Sequence, residues 1–354
     1  MTIFDESRQT GEFYKQLPKV ELHRHLEGSL RFATIQELGS DPALKLPLGT
    51  HLSRLVQVQE EDPRTFSNFL TKFTPLRLLY RSPEIIKRVT REAIQDAAKD
   101  NIHYLELRFS PVALSRVEGF DLAQVMDWVL KSAAEAALEF NITTNLLGTI
   151  NRHEEIDLAV EVIQLASERC GDGIVGIDLA GNEADCSSMQ FKSILQHARR
   201  SGLHLSIHAG EWGPGDNVRY ALEHLEADRI GHGIRVIESP RGIALAREKN
   251  TAFEVCPTSN FQSGAVANMD SHPLPQMLAH GLNITINTDD PGISQINLSG
   301  EYQLVCESFG ISSSQLCEMN IAAARAAFIP HTEREILAAE IRAEFIRTAG
   351  IEAE

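Results

Sequence analysis

Nowhere does the chain approach the roughly 18 consecutive apolar residues that a membrane span requires. Its opening, MTIFDESRQTGEFYKQ, lacks the basic segment and apolar core of a secretion leader. Insertion and export are therefore not expected, and the Asn-x-Ser/Thr triplets at Asn141, Asn283 and Asn297 are chance matches, because that motif matters only in a secreted chain. Cysteine is scarce. The five present, Cys170, Cys186, Cys256, Cys306 and Cys317, are odd in number, scattered and free of any CxxC pair, which argues against a disulfide framework and predicts reduced thiols in a cytoplasmic chain. Basic charge is deficient too: 33 Lys and Arg against 49 Asp and Glu leave −16, a field that repels nucleic acid and anionic lipid. Repeats, low-complexity tracts and Pro/Gly/Ser linkers are missing, so a single domain over 1–354 is expected.

What is present is an ordinary globular composition, 43% apolar and 23% charged, laid out as short β-branched runs alternating with longer amphipathic segments. Residues 19–25, 103–109, 143–150, 174–180, 203–209, 229–233, 251–256 and 283–288 read as eight strands. Between them 121–140, 154–169 and 188–202 read as crossover helices, so the chain is expected to form an α/β fold of the (β/α)8 barrel type. The interval between the first two strands is far longer than one crossover and contains the helical-looking 65–73 and 83–100. Extra helices inserted there are expected to cover the barrel mouth, with Phe66, Phe69, Leu70 and Phe73 serving either as an apolar lid or as ordinary packing. The closing ILAAEIRAEFIRTAG predicts one more amphipathic helix outside the barrel.

A barrel of this kind works at the C-terminal ends of its strands, and polar residues gather at those ends. The first strand ends in His23 and His25, an i, i+2 pair on one side of the strand. The fifth ends in HAGEWGP, which places His208 at the end of the strand and Glu211 on the turn; the eighth ends in NTDDPG with Asp289 and Asp290 side by side. His232 stands inside GHG, and Gly181 inside DLAGNE could offer a backbone N–H at close range. Each motif alone has a plain structural reading: a satisfied core histidine, a solvated glutamate, or a turn rich in Asp, Pro and Gly. Cys256, within CPTSN, reads as a small buried residue, since nothing beside it would activate a thiolate. Together, three imidazoles and a carboxylate make a mostly nitrogen donor set that suits zinc, which lowers the pKa of a bound water to about 7. With no Lys in IDLAGNE to bridge two ions, one ion per chain is favoured. Amides, phosphoesters and amidine-like C–N bonds all remain open as substrates at this level, as does a structural zinc site.

ELHRHLEG, DLAGNE, HAGEWGP, RIGHG, CPTSN and NTDDPG occur in the order seen in the adenosine deaminase family, which the sequence resembles over nearly its whole length. The resemblance implies zinc held by His23, His25, His208 and Asp289. It implies Glu211 as the acid that protonates purine N1, His232 as the group that orients and deprotonates the attacking water, and Asp290 as a partner for the water and purine N7. Gly181 corresponds to a backbone contact to purine N3. Glu211 must then be protonated when substrate binds, through desolvation or the neighbouring Asp289 and Asp290 carboxylates. The sequence departs from the adenosine-specific pattern at Glu27, where those relatives carry an Asp that meets the ribose 5′-hydroxyl, as His25 lies alongside. The resemblance therefore points to adenosine or a 5′-modified adenosine as substrate, with free adenine as the alternative and neither nucleic acid nor membrane as a partner.

Overall fold

The computed structural model describes residues 11–47 and 49–351; the leader reading of residues 1–16 falls largely outside them. Eight strands form one parallel sheet in sequence order: β1 Lys19–His25, β2 Ile102–Phe109, β3 Thr143–Asn151, β4 Ile174–Ala180, β5 His204–His208, β6 Arg229–Gly231, β7 Ala252–Val255 and β8 Asn283–Ile286. The sheet closes on itself where Arg24 bridges Asp289, with the His25 N–H donating to Asp289 O at 2.8 Å and the Asp289 N–H donating to His23 O at 2.9 Å. Side chains complete that seam: Asn287 Oδ1 accepts the Leu22 N–H at 2.8 Å, and Glu21 Oε1 accepts the Thr288 N–H at 3.0 Å. The fold is a (β/α)8 barrel.

The helices follow from local chemistry. Leu122–Phe140 starts where the Asp121 side chain accepts the Gln124 N–H, buries Val125, Met126, Val129, Ala133 and Ala136 on one face, and stops at Asn141 in the left-handed region. Pro83–Lys99 starts at Ser82, whose hydroxyl accepts the Ile85 N–H, with Pro83 at the first helical position where no N–H is needed. Short helices over Phe32–Gly39, Thr50–Val56, Phe66–Thr71 and Phe73–Arg77 fill the insertion after β1. The expected helix over 65–73 is in fact two pieces meeting at Lys72, whose buried ammonium reaches Asp62 at 2.6 Å and Arg54 O at 2.7 Å. The fifth to eighth strands end one to two residues earlier than the sequence suggests. At β6 the chain turns away after Gly231, where His232 takes the left-handed φ of 56°. No helix among the described residues is long and apolar enough to cross a membrane, and the five cysteines are unpaired.

The barrel interior is ionic where bulky aliphatics are usual. Arg229 bridges Glu106 and Glu254, the latter at 2.6 Å, and Arg108 bridges Glu254 at 2.9 Å and Asp178 at 3.1 Å. All five side chains are buried, so each charge must be met by another. This ladder of charge climbs from the bottom of the barrel to the histidines at its mouth.

Candidate active site

Five strand ends deliver the polar residues of the mouth. His23 and His25 come from β1, His208 from β5, His232 from the turn after β6, Asp289 and Asp290 from the loop after β8, and Gly181 from the end of β4. The structure brings the first five together. Asp289 Oδ1 stands 3.3 Å from both His23 Nε2 and His25 Nε2, while the His23 ring centroid lies 4.7 Å from that of His208 and 4.7 Å from that of His232. Ligand atoms of His23, His208, His232 and Asp289 all fall within 4.8 Å of one another.

The distal ring nitrogens are fixed from behind. His23 Nδ1 meets Glu254 at 2.8 Å and His208 Nδ1 meets Asp178 at 2.9 Å. Each carboxylate accepts a hydrogen bond from the Nδ1–H, so Nε2 keeps its lone pair and points at the cluster. Ser259 Oγ donates to Asp289 Oδ2 at 2.7 Å, and Asn260 Nδ2 lies 3.1 Å from His232 Nδ1. His23 Nε2 is buried without a hydrogen-bond partner, an orphaned lone pair facing two more imidazoles and a carboxylate. That arrangement fits a divalent ion of borderline softness, and the N3O donor set fits zinc. Burial pushes His25 down to about 3 and holds His232 well below the ordinary imidazole range, so both rings are neutral. Burial alone would raise Asp289, but contact with His23 and the surrounding imidazoles of His232 and His25 hold it well below the usual carboxylate range.

Glu211 and Asp290 differ in kind from Asp289. Burial, then the charges of Asp289 and Glu183, raise Glu211 well above the ordinary range; burial, then Asp289, Glu27 and Glu211, raise Asp290. Glu211 Oε2 lies 3.6 Å from His232 Nε2. Its turn is held by Glu183, whose carboxylate accepts the N–H groups of Gly210 at 2.9 Å, Glu211 at 2.5 Å and Trp212 at 2.7 Å. Asp290 packs against Gly28 so closely that a Cβ there would sit 1.8 Å from its Oδ1, which only glycine permits. Gly181 adopts φ of 92° and lines the same cavity.

These residues share a cavity of about 580 Å3, within the size range of small-molecule sites. Glu27, Ser110, Asn151 and His153 line its other half, and Phe66, Phe69, Leu70 and Phe73 form its apolar side, with Phe66 4.7 Å from the Trp212 ring. Sequence reasoning passed over Asp178, Glu254, Arg108, Glu183 and Ser259. The first three are charged residues inside strands, and only the fold, which buries both faces of those strands, shows that they face the barrel interior.

The profile of the adenosine deaminase family matches residues 18–344. The chain belongs to that family. An adenosine deaminase of Clostridium perfringens (strain SM101 / Type A) is 35% identical over 327 residues, which cover 91% of this chain and 97% of that protein. Two solved structures share the fold closely. One, an amidohydrolase of Burkhoderia ambifaria with bound zinc, has a TM-score of 0.88 at 26% identity and covers 98% of this chain and 96% of its own. The other, the N6-mAMP deaminase of Arabidopsis, has a TM-score of 0.84 at 28% identity, covering 94% and 99%. The matched span runs from β1, which carries HRH, past the DDPG that follows β8.

Proposed function

We propose that this chain is a zinc-dependent aminohydrolase that converts adenosine, or an adenosine modified at the 5′ position, to the corresponding inosine and ammonia. The observation that carries this reading is the convergence of His23, His25, His208 and Asp289, an N3O donor set, with a buried carboxyl group, Glu211, and a fourth, neutral imidazole, His232. His23, His25, His208 and Asp289 would hold one zinc ion. When bound, zinc supplies a water acidified to a pKa of about 7.

The chain's own residues do the rest. Glu211, kept protonated by burial, gives its proton to purine N1, which draws electron density from C6. His232 orients the attacking water and takes its proton as the C6–O bond forms; that proton leaves with the amine as the C6–N bond breaks, and the hydroxyl proton left on C6 returns to Glu211 as the carbonyl forms. Asp290, raised in the same way as Glu211, pairs with the water and with purine N7. Gly181 offers its backbone to N3 at a φ that keeps the approach clear of a side chain. His25 and Glu27 face the sugar. The chain acts as one catalytic unit across 1–354, and its unpaired cysteines support a cytoplasmic location.

The test is an ultraviolet scan of the zinc-loaded protein with adenosine, in which deamination shifts the purine spectrum. Wild-type protein should turn adenosine or a 5′-substituted adenosine over, and Glu211→Gln should keep its zinc while losing about 100-fold or more in kcat. Absence of spectral change with adenosine, adenine and 5′-substituted adenosines would overturn the proposal.

A further inference from the structure

The cavity has a second polar centre, on the side of β1, β2 and β3 and across the mouth from His232. It consists of Glu27, Ser110, Asn151, His153 and Arg77, the last residue of the helix Phe73–Arg77. Nearly every charge around it is already committed. Glu27 Oε1 accepts the Ser110 N–H at 2.6 Å. Glu154 pairs with Arg116 at 3.2 Å. Burial, offset only in part by Glu154, lowers His153, so its ring is neutral.

Arg77 is the exception. Its side chain makes no ion pair or hydrogen bond among the described residues, and its Nε is buried with no partner at all. Arg77 lines the same cavity as Glu27, Ser110, Asn151 and His153. A guanidinium does not deprotonate in a protein, and a buried donor without an acceptor costs the full desolvation of that group. Arg77 therefore stands as a permanent positive charge with an unmet need for an acceptor, inside a substrate cavity of a chain whose net charge is −16. Its fork geometry matches a planar or tetrahedral oxyanion. Ser110 and Asn151 stand near as neutral donors, 3.4 Å apart.

We propose that Arg77 receives an anionic group, a phosphate or a carboxylate, carried on the 5′ end of an aminopurine nucleoside, so that the preferred substrate is a 5′-anionic adenosine. This rests on the deaminase reading above. With the purine ring between Gly181 and the His–Asp cluster, the ribose lies against Glu27, and a 5′ substituent extends past Glu27 to Arg77. Glu27, one methylene longer than Asp, meets the sugar, and its Oε1 is already engaged by the Ser110 N–H.

The experiment compares kcat/KM of zinc-loaded wild type, Arg77→Ala and Arg77→Lys on four substrates. These are adenosine, 5′-methylthioadenosine as a neutral 5′ extension, AMP, and adenosine 5′-carboxylic acid. Wild type should prefer at least one of the two anions over both neutral substrates by tenfold or more, the AMP and carboxylate arms separating the two anion sources. In Arg77→Ala the anionic-to-neutral ratio should fall about 10- to 100-fold, chiefly through KM, as expected for a charge-assisted pair, and Lys should restore part of it. Calorimetry with the products gives a second readout: IMP, or the inosine carboxylate, should bind more tightly than inosine to wild type and lose that advantage in Arg77→Ala. Turnover of the neutral substrates with both anions poorer, or an equal loss on all four substrates in Arg77→Ala, would overturn the inference and leave deamination standing. No turnover of any substrate would overturn the deaminase reading, and this inference with it.

Discussion

At the residue scale, the proposed ligands are defined less by themselves than by what stands behind them. His208 reaches the cluster through Nε2 because Asp178 holds Nδ1 at 2.9 Å, and Asp178 is in turn neutralised by Arg108 at 3.1 Å. Burial would raise Asp178, but His208 and Arg108 hold it far below the ordinary range, so it is an acceptor at any working pH. Asp178→Asn keeps the shape and removes the charge. It should weaken zinc affinity by roughly 10- to 100-fold with the fold intact, as read by competition with a chelator and by far-ultraviolet circular dichroism. Unchanged affinity would mean that Asp178 serves only to neutralise Arg108. Residues such as His208 and Asp289 could be picked out in the sequence because they end strands next to Gly and Pro. Asp178 and Glu254 could not, because one charged residue inside a strand does not say which face it takes or what it meets.

At the scale of elements, the helix Pro257–Gln262 follows β7 and carries Ser259 and Asn260, which contact Asp289 and His232. Its N-terminus is held by Glu301 from the helix Leu298–Phe309: Oε2 accepts the Thr258 N–H at 3.0 Å and Oε1 accepts the Thr258 hydroxyl. Glu301 is buried, and burial raises it to about 7, the Thr258 contacts only partly opposing. Since the folded state binds this proton more tightly than the unfolded chain, the stability it contributes is complete below about pH 4.5 and is lost as pH rises to about 7. Over that window the loss is on the order of 3 kcal/mol. Glu301→Gln keeps an acceptor for Thr258 and carries no titrating charge. Urea unfolding at saturating zinc should show it close to wild type at pH 5 and more stable than wild type at pH 8; a gap that does not widen with pH would mean Glu301 titrates normally. Helix positions were readable from apolar periodicity and caps such as Asp121 and Ser82. The break at Lys72 was not, because it answers to Asp62 and the carbonyl of Arg54, which only the folded chain puts within reach.

At the scale of the molecule, the site sits on the seam that closes the barrel. The backbone bridge between Arg24 and Asp289 joins the first strand to the loop after the last, and the proposed ligands lie on either side of it. An ion held by His23, His25, His208 and Asp289 would tie β1, β5 and β8 together, so it should act on global stability. At zinc concentrations 1,000 times Kd the gain is about 4 kcal/mol, and EDTA should lower Tm by roughly 5 to 10 °C, recovered on adding zinc back. A Tm indifferent to chelation would show that the hydrogen bonds of Glu254, Asp178 and Ser259 hold the mouth without metal. By itself the sequence determined the alternation of strands and helices and the set of polar strand ends, because periodicity and turn chemistry are local properties of the chain. Which nitrogen of each imidazole faces the cluster, which carboxyl groups keep a proton and where Arg77 points were decided only by the tertiary structure. Tautomer, proton affinity and unmet hydrogen-bonding capacity depend on what lies within a few ångströms, and the residues that set them come from strands as far apart in the chain as His23 and Glu254.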